Sequence, residues 1–122
     1  NYMKERKQFG KPLSSFQGLQ WMMAELEVKI EAARNLVYKA AWLKDNKLPS
    51  QQATSMAKVF SCNAAVHAAN MAMKIYGSYG YSTEYPCGRW LRDAKQFETL
   101  EGTSNIHMQI IANIELGYQP NR

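Results

Sequence analysis

At 122 residues, 46% of them hydrophobic, the chain has material for one domain with a real core and not for two. Its 15 Lys and Arg outweigh 10 Asp and Glu, and the formal net charge of +5 favours anionic partners such as nucleotides, phosphorylated cofactors or nucleic acid. No run approaches the roughly 20 apolar residues of a membrane span, nothing resembles a signal peptide, and two cysteines are too few to staple a secreted mini-domain.

The chain opens on Asn1-Tyr2-Met3-Lys4 in what reads as the tail of a helix, as a fragment of a longer protein would. Gly10 and Pro12 end that helix. Lys4, Arg6, Lys7 and Lys11 form the one dense basic cluster, interrupted by Glu5. It reads as a solvated face, too short a patch for a nucleic-acid interface. Ser14 and Ser15 offer N-caps for a long helix running to about Asn46, with Leu19, Met22, Met23, Leu26, Ile30, Ala33, Val37 and Ala41 as its apolar face. Lys47-Leu48-Pro49-Ser50 is a short connection, and Ser50 caps a second helix that runs to about Tyr76. The alanines of that helix, Ala57, Ala64, Ala65, Ala68, Ala69 and Ala72, let neighbours approach closely, which suits the centre of a bundle. Cys62 falls on its apolar face and reads as a small core residue. With Cys87 it makes two free thiols, which indicates a reducing compartment: the cytoplasm or, in a eukaryote, the mitochondrial matrix.

Gly77 and Gly80 stop the second helix. Tyr81 to Pro86 is a loop, and Pro86 starts a third helix continuing to about Phe97. A turn from Glu98 to Gly102 leads to Thr103 or Ser104 as the cap of a last helix that ends at Gly117. No strand-like alternation of useful length is present. Long amphipathic helices with short connections predict an all-α fold, an antiparallel up-and-down four-helix bundle.

A carboxylate-bridged di-iron centre needs a Glu three residues before a His on two helices. Ala64 and Ser104 stand at those positions relative to His67 and His107, so no metal site is expected. His67 faces an alanine-rich surface and reads as a hydrogen-bonded core or interface histidine; His107, in the first turn of the last helix, faces solvent or a ligand. No Ser or Cys sits on a glycine-flanked elbow, so nucleophilic catalysis finds no support. Gly77-Ser78-Tyr79-Gly80 lacks the Lys-Ser/Thr ending of a phosphate loop and reads as a helix end and a tight turn.

Glu101-Gly102-Thr103-Ser104 has two readings. One is a plain helix start, a turn glycine followed by a capping hydroxyl. The other puts a carboxylate beside a flat ligand held across a helix N-terminus, where unpaired N–H groups and a partial positive charge gather. Gly102 would let the backbone approach that ligand, and desolvation would raise the carboxylate's pKa until it served as a base.

Three blocks carry a family resemblance: Arg6 to Leu13 followed by Gln17; Gly77 to Tyr81 through Glu84 and Pro86 to Arg92-Asp93-Ala94-Lys95; and Glu101-Gly102-Thr103. In that order and spacing the chain resembles the C-terminal helical domain of the acyl-CoA dehydrogenase family over essentially its whole length. The resemblance implies FAD-dependent removal of two hydrogens from the α and β carbons of an acyl-CoA thioester. The glutamate matching Glu101 would abstract the α proton, its backbone N–H would contact the thioester oxygen, and Gly102 would border the substrate. Arg6 would meet the FAD pyrophosphate, Phe16 and Gln17 would line the cofactor site, and Thr103 and Asn105 would touch the flavin nucleotide. Lys74, Gly77 and Ser78 would complete the FAD site from a neighbouring subunit, in a homodimer or homotetramer.

The family usually places Gln where Lys74 stands, Gly where Ser78 stands, and often Gln at Asn105. Retention of Glu101 points away from branches that carry the base on a preceding helix and leaves straight-chain, short-chain and glutaryl-like branches open. The resemblance also implies preceding helical and β domains in a three-domain chain, an electron-transferring flavoprotein as acceptor, and little activity for this segment alone. An oxidase-like variant shares the same chemistry. From a different class, a non-catalytic helical assembly module would account for the alanine-rich helices, and in it the Glu101 carboxylate would be dispensable.

Overall fold

The computed structural model describes residues 1–118, and among them the fold is all-α apart from one minimal hairpin. Helix α1 (Tyr2–Glu5) leads through strands β1 (Lys7–Gln8) and β2 (Lys11–Pro12) and a 3-10 turn (Leu13–Ser15) into the long α2 (Gln17–Asp45). Helix α3 (Gln51–Tyr76), the short α4 (Ser78–Tyr81), α5 (Cys87–Phe97) and α6 (Ser104–Leu116) complete it. The four long helices are those the sequence predicts.

The N-terminal segment differs from expectation. The first helix stops at Glu5 rather than at Gly10, because Arg6 is already extended. Lys7 then pairs with Pro12 and Gln8 with Lys11, antiparallel. Phe9 (φ 51°) and Gly10 (φ 78°) occupy the two turn positions, both left-handed, as a tight two-residue hairpin requires. Neither Ser14 nor Ser15 caps α2: both lie in the 3-10 turn, and Phe16 is the N-cap, with no side-chain hydrogen bond. Ser50 precedes α3 as expected but makes no capping bond. Thr103 does cap α6, its Oγ1 accepting from Ile106 N at 3.4 Å, and Gly117 closes that helix in the left-handed conformation.

Helix α3 is the axis of the domain, packed against α2, α5 and α6. At about 3.6 residues per turn, Ala53, Ala57, Ala64 and Met71 fall on one side and Ser55, Cys62 and Ala69 on the opposite side, and all seven are buried. The first side meets α2: Ala53 and Ala57 share a cluster with Ala40, Leu36 and Leu43. At the other end of the pair Glu25 faces His67, so the two helices run antiparallel. His67 Nε2 lies 3.3 Å from Glu25 Oε1 without hydrogen-bond alignment, so of the core or interface position expected it takes the interhelical one, without the hydrogen bond.

The inward face of α2 is also rotated from expectation. Met23, Ile30, Val37 and Ala41 are exposed, whereas Leu19, Met22, Leu26, Ala33, Leu36, Ala40 and Leu43 turn inward or toward the seam. Apart from one seven-residue step, from Leu26 to Ala33, these positions alternate steps of three and four, the spacing of two helices that stay in register along their length. The second side of α3 takes α5 and α6. Cys62 Sγ donates to Phe97 O at 3.3 Å, and Tyr76 meets Tyr85 edge-on, so α5 also runs antiparallel to α3.

Gly80 lies inside α4 instead of ending α3, and it is buried there. A Cβ at Gly80 would fall 3.0 Å from Met73 O and 3.1 Å from both Met73 Cα and Tyr76 Cβ. Two of those three atoms are backbone and cannot swing away, so Gly80→Ala should cost about 1–3 kcal/mol of stability in a urea denaturation curve. Cys62 and Cys87 are both free and buried. Burial pushes the Cys87 thiol above its ordinary 9.0, opposed by a backbone hydrogen bond, and pushes Tyr76 above 10.0, aided by Cys87, Tyr85, Tyr2 and Glu5. The folded chain therefore holds these protons more tightly than the unfolded one. Their contribution is complete below about pH 9 and is lost as pH rises through the folded values. Urea midpoints should fall on the alkaline side, and Cys87→Ala should flatten that fall.

Candidate active site

The turn between α5 and α6 carries Glu101, and its shape is set by α3. Helix α5 ends by over-tightening: Leu100 N donates to Gln96 O at 3.2 Å, and Thr99 N and Oγ1 both reach the same carbonyl. The last carbonyls, unpaired within the helix and at the negative end of its dipole, turn toward α3. There Lys58 Nζ donates to Phe97 O at 2.6 Å and to Leu100 O at 2.7 Å, with Cys62 Sγ also on Phe97 O. Ser104 N returns to Glu98 O at 3.1 Å and closes the loop.

Between these anchors the chain reverses through two left-handed residues, Glu101 (φ 56°) and Gly102 (φ 100°). A glutamate there costs on the order of 1 kcal/mol relative to a right-handed conformation. His107 sits against the turn: Nε2 is 3.2 Å from Glu101 O, and Nδ1 is 3.2 Å from Ser55 Oγ on α3. A Cβ at position 102 would lie 3.0 Å from that same Nε2, so glycine is needed for space as well as for φ. Where the sequence leads one to expect an imidazole facing solvent or a ligand, His107 faces the backbone of the turn and Ser55. The Glu101 side chain is exposed, and its N–H makes no backbone hydrogen bond among the described residues. Thr103 and Asn105 stand exposed beside it at the opening of α6.

A second group forms at the far end of α3. Arg6, Lys74, Gly77 and Ser78 line one cleft of about 180 Å³ together with Gln8 and Tyr79. The Arg6 guanidinium lies 5.4 Å from the centre of the Tyr79 ring, which helps orient it. Arg6 and Lys74 to Ser78 of one chain therefore line the same cleft. Phe16 belongs to a third, apolar hollow of about 590 Å³ with Phe9, Leu13 and Leu19. The Phe9 and Phe16 rings meet edge-on at 6.3 Å, and Lys11 Nζ lies 4.6 Å over Phe16. Gln17 begins α2 with its side chain exposed.

The family pattern described as "Acyl-CoA dehydrogenase, C-terminal domain" matches residues 1–116. The chain belongs to the acyl-CoA dehydrogenase family. It is 50% identical over 111 residues to the short-chain specific acyl-CoA dehydrogenase of Clostridium acetobutylicum, covering 91% of this chain and 29% of that protein. Among solved structures, a glutaryl-coenzyme A dehydrogenase in complex with glutaryl-CoA is 48% identical with a TM-score of 0.91, covering 97% of this chain and 30% of that one. A chain from work on the electron-transferring flavoprotein of Acidaminococcus fermentans is 44% identical with a TM-score of 0.92, covering 94% and 30%. The chain thus spans about 30% of the length of the relatives it matches.

Within this acyl-CoA dehydrogenase domain, Ser55, Lys58, Phe9 and the role of His107 escape a reading of the sequence alone. Lys58 is the clearest case: a lone lysine among alanines, its carbonyl partners 39 and 42 positions away. Lys58→Met keeps the stem and removes the charge, leaving Leu100 O without its donor and Phe97 O with the weaker Cys62 thiol alone. We expect a loss of about 1–3 kcal/mol in thermal or urea denaturation.

Proposed function

We propose that this chain is the base-bearing domain of an FAD-dependent acyl-CoA dehydrogenase, with Glu101 as the base. The observation that supports it is the conformation of the 98–103 turn. A glutamate is held left-handed, next to a glycine, at the mouth of α6, with its own N–H directed to no backbone partner among the described residues. Thr103 caps α6 immediately after it, so the carboxylate and the first turn of the helix share one rigid segment.

In this reading the Glu101 carboxylate takes the α proton of the acyl-CoA, and the Glu101 N–H donates to the thioester oxygen. That contact stabilises negative charge as it develops there. Gly102 borders the acyl chain at the turn. Glu101 is exposed in this chain, so its drying comes from the substrate, the cofactor and the domains that cover the turn in the complete enzyme. Bound FAD would supply the acceptor for the β hydrogen. The residues present fit such a group: two cations, Arg6 and Lys74, border a cleft with the Ser78 hydroxyl and with Gly77, at whose Cβ position nothing lies within 4 Å. That donor set suits a pyrophosphate or phosphate. Thr103 and Asn105 would hold the nucleotide on the Glu101 side, with Phe16 and Gln17 near the hairpin.

The two groups stand at opposite ends of α3. Positions 55 and 74 are roughly 28 Å apart at the rise of an α-helix, longer than an extended dinucleotide. A single FAD touching both would take them from two copies of this chain, which supports a homodimer or a homotetramer built from it. Exposed Trp21, Val28 and Trp42 on α2 give further apolar surface for assembly. The electron acceptor proposed is an electron-transferring flavoprotein.

Glu101→Gln in the complete enzyme tests the assignment. Flavin content should be unchanged, while bleaching of the flavin by a short acyl-CoA should slow by about 10²–10⁴. Bleaching within twofold of the parent rate, or about 0.4 kcal/mol in the barrier, would remove Glu101 from the chemistry.

A further inference from the structure

We infer that His107 is a positioning residue for Glu101, acting through the backbone of the turn and aligned by Ser55. The inference rests on Glu101 being the base. A carbonyl oxygen can only accept, so the contact with Glu101 O requires the proton on His107 Nε2. Nδ1 then carries the lone pair of the neutral ring and accepts from the Ser55 hydroxyl at 3.2 Å. Ser55 is 2% exposed and fixed on α3, so it holds the plane of the imidazole, while the accept-only Glu101 carbonyl selects the tautomer.

Ser55, Lys58 and Cys62 share one face of α3, at spacings of three and four residues. Lys58 holds Leu100 O at 2.7 Å and His107 holds Glu101 O. Two consecutive carbonyls are thereby fixed in direction from one rigid helix. Holding the carbonyl of the peptide before Glu101 and that of the peptide after it leaves the residue little freedom to relax from φ 56°. Its side chain and its N–H are aimed as a consequence. His107 touches neither substrate nor cofactor in this scheme; its effect is geometric.

The test compares His107→Leu, which removes the donor, with His107→Gln, whose amide N–H can still reach the carbonyl, in the complete FAD-loaded enzyme. Misplacement of a reacting group by about 1 Å costs up to about 100-fold. His107→Leu should lower kcat by about 10- to 100-fold with KM and flavin content little changed, and His107→Gln should restore most of it. Ser55→Ala, which keeps the ring but frees its orientation, should lie between them and serves if His107→Leu does not fold. A crystal structure of the weakest folded variant should show Glu101 outside the left-handed region. Equal kcat in the Leu, Gln and parent enzymes, or an unmoved Glu101 φ in a variant that has lost the contact, would overturn the inference. If Glu101→Gln abolishes bleaching while His107→Leu is neutral, the positioning role alone falls. If Glu101→Gln is neutral, the base assignment falls first.

Discussion

One half-buried ammonium fixes where α5 ends and how the chain leaves it. Lys58 Nζ stands between the carbonyls of Phe97 and Leu100 at the negative end of a helix, where only the Cys62 thiol also reaches Phe97 O among the described residues. A neutral donor could satisfy one of them. A charged group with three donors holds both and brings its attraction to the dipole as well. The turn that follows cannot continue as helix, because its carbonyls are committed to α3. It must reverse within a few residues to reach the Thr103 cap, and the left-handed pair Glu101-Gly102 is the result. The strain at Glu101 is thus a consequence of anchoring on both sides. It is maintained by contacts from α3 and α6, not by anything the glutamate does for itself.

That arrangement depends on α3 being packed on two opposite sides. A helix with one apolar stripe could not meet α2 and also hold the α5–α6 turn. The side facing α2 is built from alanines, which allow close approach, and the opposite side interleaves Ala69 with Ser55 and Cys62, small residues that carry polar atoms. Close packing on the first side sets the height and rotation of α3. The polar atoms on the second side then meet their carbonyl and imidazole partners at hydrogen-bond distance. Precision at the site is inherited from the packing of the seam. The large apolar side chains mostly lie outside this small-residue core: Trp21, Val28 and Trp42 on α2 and Ile106 and Leu116 on α6 are all more than half exposed.

Much of this was legible in residue order. The alanine periodicity of α3 identified it as central, the Gly77 and Gly117 stops held, and Thr103 as a cap followed from a hydroxyl placed before an apolar run. The α2 face was misjudged for a definite reason. Helical spacing admits either neighbour at each turn: Leu19, Met22, Leu26 and Ala33 turn inward as expected, but the seam takes Leu36, Ala40 and Leu43 where Val37 and Ala41 are expected, and Met23 and Ile30 fall outside it. The hairpin was invisible because two-residue strands show no alternation, and a Phe at a left-handed turn position has no sequence signature. His107, Ser55 and Lys58 were missed because their partners lie 39 to 52 positions away or on the backbone. Only a hydroxyl and a lysine interrupting an alanine stripe, at the spacing of one helical turn, hinted that this side of α3 had polar work to do.

The geometry also constrains how the two groups of candidate site residues can cooperate. Arg6, Lys74, Gly77 and Ser78 form a unit because α1 and the hairpin fold back onto the C-terminal end of α3; Tyr2 stacks on Tyr76 at 3.9 Å between ring centres and Leu13 N donates to Arg6 O. Glu101, Thr103 and Asn105 form another near the N-terminal end of the same helix, through Ser55 and Lys58. Because α3 is continuous from Gln51 to Tyr76, no bend can bring its ends together. A rigid rod that separates two halves of a site within one chain also sets their spacing when a second chain is brought alongside. On the function proposed above, the helix that aims the base in one subunit therefore also places the phosphate-binding cleft that serves the other. A change that shortened or kinked α3 between the two would disturb both without touching either.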